Sequence, residues 1–140
     1  MKRVRRPLEG RTILVVEDDV LLGQDLRSLL ETAGAGAVGP VNDIARACAI
    51  ARTELLDGAL LDVRMWDQTA APVAVELGQR DIPFIVISGY PQQEVPPAMR
   101  GAAYLAKPVQ RMELVRLAQA LFPKARRPTR AQLLREAERR

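Results

Sequence analysis

The stretch Ile13-Leu14-Val15-Val16-Glu17-Asp18-Asp19 is an unbroken apolar run that ends in three consecutive acids. Three later apolar runs also lead to a polar side chain: residues 59–61 to Asp62, residues 84–87 to Ser88, and residues 102–105, with Ala106, to Lys107. Nearly continuous apolar runs of this length are typical of strands that are buried on both faces of a parallel sheet. The sequence therefore predicts an α/β fold in which helices cover both faces of a parallel sheet.

The polar residues at the ends of these runs are expected to meet, because ligands of open α/β sheets bind beyond the carboxyl ends of the strands. Carboxylates of Glu17, Asp18 and Asp62 would lie there beside the Ser88 hydroxyl and the Lys107 ammonium. Clustered carboxylates raise one another's pKa unless a cation joins them. Mg²⁺ is usually held by one or two carboxylates together with phosphate and water. The sequence therefore predicts a site for a magnesium ion and a phosphoryl group.

Each of these residues also has a simpler structural interpretation. Asp19 is expected to cap the helix that follows it, and Asp62 alone is compatible with a turn. Ser88 and Lys107, taken singly, indicate no function, although Lys107 precedes Pro108 and is therefore expected in an extended loop. The functional interpretation depends on the combination.

Four segments resemble, in order, the receiver domain of two-component response regulators. They are residues 13–19 with their acidic pair, residues 60–65 around Asp62, Ile87-Ser88-Gly89-Tyr90, and Tyr104-Leu105-Ala106-Lys107-Pro108. One such motif is weak, but four at the spacing of βα units are specific. The resemblance covers about residues 11–122 and implies a flavodoxin-like (CheY-like), doubly wound sheet of five parallel strands in the order 2-1-3-4-5.

The resemblance implies that Asp62 is the phospho-acceptor and that Mg²⁺ is the cofactor. The metal would be bound by Asp18, Asp62 and the backbone carbonyl of Arg64, with Glu17 acting through a water molecule. These oxygen ligands agree with the preference of magnesium for hard donors.

The resemblance also implies how the phosphoryl group is held and sensed. Lys107 and Ser88 would contact its oxygens, and Ser88 and Tyr104 would form the switch. The donor would be a histidine kinase or a histidine phosphotransfer protein. This chain contains no histidine, so it cannot be its own phosphohistidine donor.

The sequence departs from the usual receiver pattern after Asp62. Trp66 stands where a proline is usual, and Thr69-Ala70-Ala71-Pro72 replaces an Asp-Gly pair, so we expect an uncommon loop in which Trp66 either contacts a partner or packs over the loop. Residues 90–100 contain Pro91, Pro96 and Pro97, which predicts no helix longer than about two turns. This degenerate fourth helix places in doubt the face through which many receivers dimerise.

Charge divides the chain into three parts. Residues 1–11 form a basic arm of net charge +4, and residues 123–140 form a basic tail of net charge +5, expected to be partly helical. The predicted receiver domain, residues 12–122, carries a net charge of −5. Nucleic-acid binding through the arms is an alternative function, but they contain no aromatic residues on which bases could stack.

We therefore expect a single-domain response regulator rather than an enzyme. It would contact an unknown downstream protein, with a homodimer as one possibility, or act as a phosphoryl shuttle or sink. The main alternative is a pseudo-receiver that binds partners without phosphorylation. The sequence has neither the apolar region of a signal peptide nor a run of membrane-spanning length, which predicts a cytoplasmic protein without membrane insertion.

Overall fold

The computed structural model describes residues 5–123 and 137–139. Five parallel strands form the central sheet in the order β2-β1-β3-β6-β7: β1 (Thr12–Val16), β2 (Gly36–Val41), β3 (Gly58–Asp62), β6 (Phe84–Ser88) and β7 (Ala103–Ala106). A separate hairpin pairs β4 (Arg64–Met65) with β5 (Gln68–Thr69). The helices are α1 (Val20–Thr32), α2 (Ile44–Thr53), α3 (Ala71–Gln79) and α4 (Arg111–Leu121). Because β4 and β5 lie outside the main sheet, β6 and β7 are its fourth and fifth strands, and the predicted order 2-1-3-4-5 is confirmed.

The two faces of the sheet bury separate hydrophobic clusters. Successive side chains of a strand point to opposite faces. In β3, Leu61 accordingly belongs to the cluster under α2 and α3, whereas Leu60 belongs to the cluster under α1 and α4. Every residue of β3 is buried, which explains why its sequence lacks the polar alternation of a half-exposed strand.

Residues at their first turns explain where three of the helices begin, and Asp19 is the cap that the sequence predicts. Asp19 caps α1 by accepting the Leu22 N–H at its Oδ1 over 3.1 Å, and Asp43 caps α2 in the same way from Arg46 over 3.2 Å. Pro72 lies in the first turn of α3, where its missing N–H costs nothing. Asp19 therefore serves the helix, which leaves Glu17 and Asp18 for the edge of the sheet.

Residues 90–100 contain no long helix, as the prolines predict. Two short 3₁₀ turns, Gln92–Glu94 and Pro97–Met99, connect β6 to β7. Val95 and Met99 are buried against the sheet and fill part of the space that a regular helix would cover.

The segment before β1 packs on the domain, and both Leu8 and Arg11 of the basic arm are buried. Leu8 is fully buried and its N–H donates to the Ala33 carbonyl over 2.8 Å. The Arg11 guanidinium donates from Nε to the Phe122 carbonyl over 2.7 Å and from Nη1 to the Pro7 carbonyl over 2.9 Å. The ends of the receiver unit are thereby joined.

Other expectations about the chain ends stay predictions. Residues 1–4 of the basic arm and most of the helix expected in the basic tail lie outside the described residues. Within the described residues, no helix has the length and apolar character needed to cross a bilayer.

Candidate functional site

The carboxyl ends of β1 and β3 bring three acids together. Val16 is paired with Leu61 in the sheet, so Glu17 and Asp18 follow one strand beside the end of the other, where Asp62 lies. One carboxylate oxygen from each of Glu17, Asp18 and Asp62 lies within 4.8 Å of the others. Their roles as metal ligands stay predictions, but the geometry offers three oxygen donors to one cation.

Lys107 reaches the same cluster from the end of β7. Its Nζ lies 3.0 Å from Asp62 Oδ2 and 3.5 Å from Glu17 Oε2. Burial lowers the pKa of the ammonium, but the hydrogen bond to Asp62 and the charges of Asp62 and Glu17 outweigh that effect and raise it overall. Lys107 is therefore held as a cation against the carboxylate of Asp62, whose role as phospho-acceptor stays a prediction from the family resemblance.

Glu17 is the most deeply buried member of the cluster, with 2% of its surface exposed. Its Oε1 accepts the Asp19 N–H over 3.1 Å, but its buried Oε2 has no hydrogen-bond partner. Burial, and after it the neighbouring Asp62, raises the pKa of Glu17 to about 8. A buried oxygen that has the Lys107 ammonium at 3.5 Å but no hydrogen-bond partner, inside a set of hard ligands, fits a divalent cation such as Mg²⁺.

The hairpin of β4 and β5 forms one wall of the site. Arg64, whose carbonyl the sequence predicts as a metal ligand, begins the hairpin two residues after Asp62. At the turn, Trp66 has a φ of 60° and its N–H donates to Asp18 Oδ2 over 3.0 Å. Its side chain is 75% exposed, so the alternative in which Trp66 packs over the loop is wrong. The uncommon loop expected after Asp62 is this hairpin.

Ser88 and Tyr104, the predicted switch pair, are connected through Tyr90. The buried Ser88 Oγ accepts the Tyr90 N–H over 2.9 Å, and the Tyr104 hydroxyl donates to the Tyr90 carbonyl. The guanidinium carbon Cζ of Arg64 lies 4.8 Å from the centroid of the Tyr90 ring. Sequence reasoning gave Tyr90 no role; the Ser-Gly-Tyr motif was its only signal.

The family of the chain follows from a direct comparison of sequences. The family model of the response regulator receiver domain matches residues 13–119. The chain belongs to this family. Receiver domains are signalling proteins rather than classical enzymes.

A curated relative of this receiver domain is the transcriptional regulatory protein PdtaR of Mycobacterium tuberculosis. The two are 29% identical over 109 residues, which cover 75% of this chain and 53% of that protein. The chain thus spans about half the length of the curated relatives it matches.

Solved receiver domains share the fold. The receiver domain of the sensor histidine kinase PA1611 from Pseudomonas aeruginosa, which holds a magnesium ion in its active-site cleft, is 26% identical with a TM-score of 0.70; the match covers 80% of this chain and 97% of that one. The signal receiver domain of a modulated diguanylate cyclase from Desulfovibrio desulfuricans is also 26% identical, with a TM-score of 0.72 and coverage of 81% and 94%.

Proposed function

We propose that this receiver domain accepts a phosphoryl group on Asp62 from the phosphohistidine of a histidine kinase or a histidine phosphotransfer protein. The carrying observation is the contact of 3.0 Å between Lys107 Nζ and Asp62 Oδ2 beside two further carboxylates. A carboxylate held next to a fixed cation is a nucleophile whose charge and position suit attack on phosphorus.

The reaction is a transfer between two nucleophiles. A carboxylate oxygen of Asp62 attacks phosphorus, the phosphorus–nitrogen bond of the donor breaks, and the electron pair returns to the imidazole ring, which takes up a proton. Lys107 remains paired with a phosphoryl oxygen as a compact charge. The Ser88 hydroxyl hydrogen can be donated to another oxygen, because in its contact with the Tyr90 N–H the Oγ atom acts as the acceptor.

Magnesium fits this site through Asp18, Asp62 and the Arg64 carbonyl, with Glu17 acting through water. When bound, it supplies positive charge that offsets the negative charge on the transferred group. Glu17 Oε2 supports this assignment, because it is buried without a hydrogen-bond partner and is only 3.5 Å from the Lys107 ammonium.

A cleft of about 610 Å³ beside Lys107 gives a donor protein room to approach. Its lining comes from α1 and the start of α4 and includes Leu22, Asp25, Pro108 and Arg111. We propose that the donor's histidine-bearing element occupies this cleft, because the cleft reaches Lys107 and therefore Asp62.

We also propose that the receiver works as a single-domain regulator in the cytoplasm, where ATP is the source of the kinase's phosphoryl group. Its output would be contact with a downstream protein, self-association, or passage of the phosphoryl group as a shuttle or sink. Incubation with a phosphorylated histidine phosphotransfer domain tests the shuttle role, because a shuttle must also return the phosphoryl group.

Intact-mass measurement after incubation with acetyl phosphate and Mg²⁺ tests the central proposal. The wild type should gain one phosphoryl group, and Asp62→Asn should gain none. Glu113→Gln is the control, because it removes an exposed carboxylate of α4 outside both the acidic cluster and the cleft and should be labelled like the wild type.

Two results would contradict the proposal. Equal labelling of wild type and Asp62→Asn would place the phosphoryl group elsewhere. A wild type that binds Mg²⁺ but gains no mass from either the small donor or a phosphohistidine protein would be a pseudo-receiver.

A further inference from the structure

Tyr90 contacts three residues of the site from the loop that follows β6. Its N–H donates to Ser88 Oγ, its carbonyl accepts the Tyr104 hydroxyl, and its ring stacks on the Arg64 guanidinium. The first two contacts belong to the backbone, and only the third depends on the side chain. Substitution of Tyr90 can therefore remove the stacking while leaving the groups that bond Ser88 and Tyr104.

Arg64 links that ring to the hairpin. It is paired with Thr69 across the two short strands, and the turn between them carries Trp66. The hairpin is thus held on one side by Asp18, through the Trp66 N–H, and on the other by Tyr90, through the Arg64 side chain. Both holding points lie at the phosphorylation site.

We propose that Tyr90 is a positioning residue that couples Ser88 and Tyr104 to the hairpin through Arg64, so that phosphorylation of Asp62 changes the surroundings of Trp66. This coupling rests on the function proposed above, in which Asp62 receives the phosphoryl group. A shift of the Ser88 hydroxyl toward Asp62 alters its bond with the Tyr90 N–H, and the stacked Arg64 then moves the hairpin. A cation–π contact at an exposed site biases such an equilibrium by about two- to five-fold.

Through this coupling, the effect of phosphorylation reaches the hairpin as well as the side of the sheet where Tyr104 lies. Among the described residues, only two 3₁₀ turns lie between β6 and β7, on the side where a long helix would otherwise move with Tyr104. The hairpin lies beyond the end of β3, on the other side of β6, and presents an exposed indole.

Trp66 fluorescence tests the coupling, because Trp66 is the single tryptophan of the sequence. Acrylamide quenching is measured for the full chain without metal, with Mg²⁺, and with Mg²⁺ plus acetyl phosphate, and the phosphorylated fraction of each sample is measured by intact mass. The wild type should show a change in quenching with acetyl phosphate beyond the change with Mg²⁺ alone.

The variants separate the ring from the loop. Tyr90→Phe keeps the ring and should retain the phosphorylation-dependent change, whereas Tyr90→Leu should lose most of it at the same phosphorylated fraction. Arg64→Gln removes the other partner of the same contact, the exposed guanidinium, and should have the same effect. The double variant should lose no more of the quenching change than either single variant. Agreement between the two single variants also guards against a folding defect in one of them.

Three results would overturn the coupling. The first is a phosphorylated wild type whose quenching does not change beyond the change with Mg²⁺, and the second is full retention of the quenching change in Tyr90→Leu and Arg64→Gln. The third is failure of Tyr90→Leu to be phosphorylated, which would place the ring in the chemistry itself. Absence of added mass on the wild type contradicts instead the proposed function, and the mass measurement alone identifies that case.

Discussion

At the amino-terminal edge of the sheet, the buried Arg11 guanidinium donates to two carbonyls, whereas at the carboxyl edge the buried Glu17 keeps an oxygen without a hydrogen-bond partner. Asp57 at the first edge accepts the Thr12 N–H over 2.7 Å. Because an unsatisfied buried polar group costs stability, the first edge stabilises the fold and the second gives up stability for a site. The sheet therefore keeps the contacts that stabilise the fold apart from the site, with one at each end of its strands.

A loss of stability is expected at the amino-terminal edge. Arg11→Met leaves the Phe122 and Pro7 carbonyls without their donor, so the free energy of unfolding should fall by about 2–3 kcal/mol. Urea unfolding measures this change. Arg52→Met is the control, because Arg52 forms an exposed ion pair with Glu76 and such pairs contribute little. A fully stable Arg11→Met protein would remove the contrast between the edges.

At the carboxyl edge, the expected loss is in metal binding. Asp18→Asn removes a charged ligand and should weaken Mg²⁺ binding by about tenfold, equivalent to about 1.4 kcal/mol. Titration followed by Trp66 fluorescence measures the affinity. Asp67→Asn is the control for a local effect on the indole, because Asp67 lies beside Trp66 in the hairpin turn but outside the acidic cluster. Equal affinities of Asp18→Asn and the wild type would contradict the ligand assignment.

At the carboxyl edge, a pH dependence of stability is also expected. Because the pKa of Glu17 in the folded protein is about 8 and its ordinary value is 4.5, the folded state binds this proton more tightly than the unfolded state does. Its contribution is present below the ordinary value and is lost as pH rises toward about 8. Relative to Glu17→Gln, the metal-free wild type should therefore become steadily less stable between about pH 5 and about pH 8. Urea unfolding in the presence of a chelator checks this, and a constant difference would show that Glu17 does not titrate as expected.

The sequence predicted those parts of the fold that depend on local pattern. The apolar runs identified four of the five sheet strands, all except β2, because both faces of the sheet are covered, and Pro91, Pro96 and Pro97 identified the missing helix. The acids at the ends of β1 and β3 could be predicted to meet because parallel strands bring their carboxyl ends to one edge.

The parts that the sequence could not predict depend on contacts between distant residues. The burial of Leu8 and Arg11 requires Ala33 and Phe122, which lie far along the chain. The hairpin after Asp62 has two residues in each strand, too few for any alternation to be visible. Two of the three contacts of Tyr90 are made by its backbone N–H and carbonyl, groups that almost every residue has, so no side-chain pattern marks them in the sequence.

The Arg11 guanidinium joins Pro7 to Phe122 within the span of one side-chain head and its two hydrogen bonds. The two ends of the receiver unit therefore leave it side by side, at the pole opposite Asp62. Other modules can be fused at either end without crowding the phosphorylation site, and a short linker could close the backbone into a ring. Domains with adjacent ends tolerate such circular permutation. New termini opened at the exposed turn of residues 92–94 would then leave the sheet order unchanged.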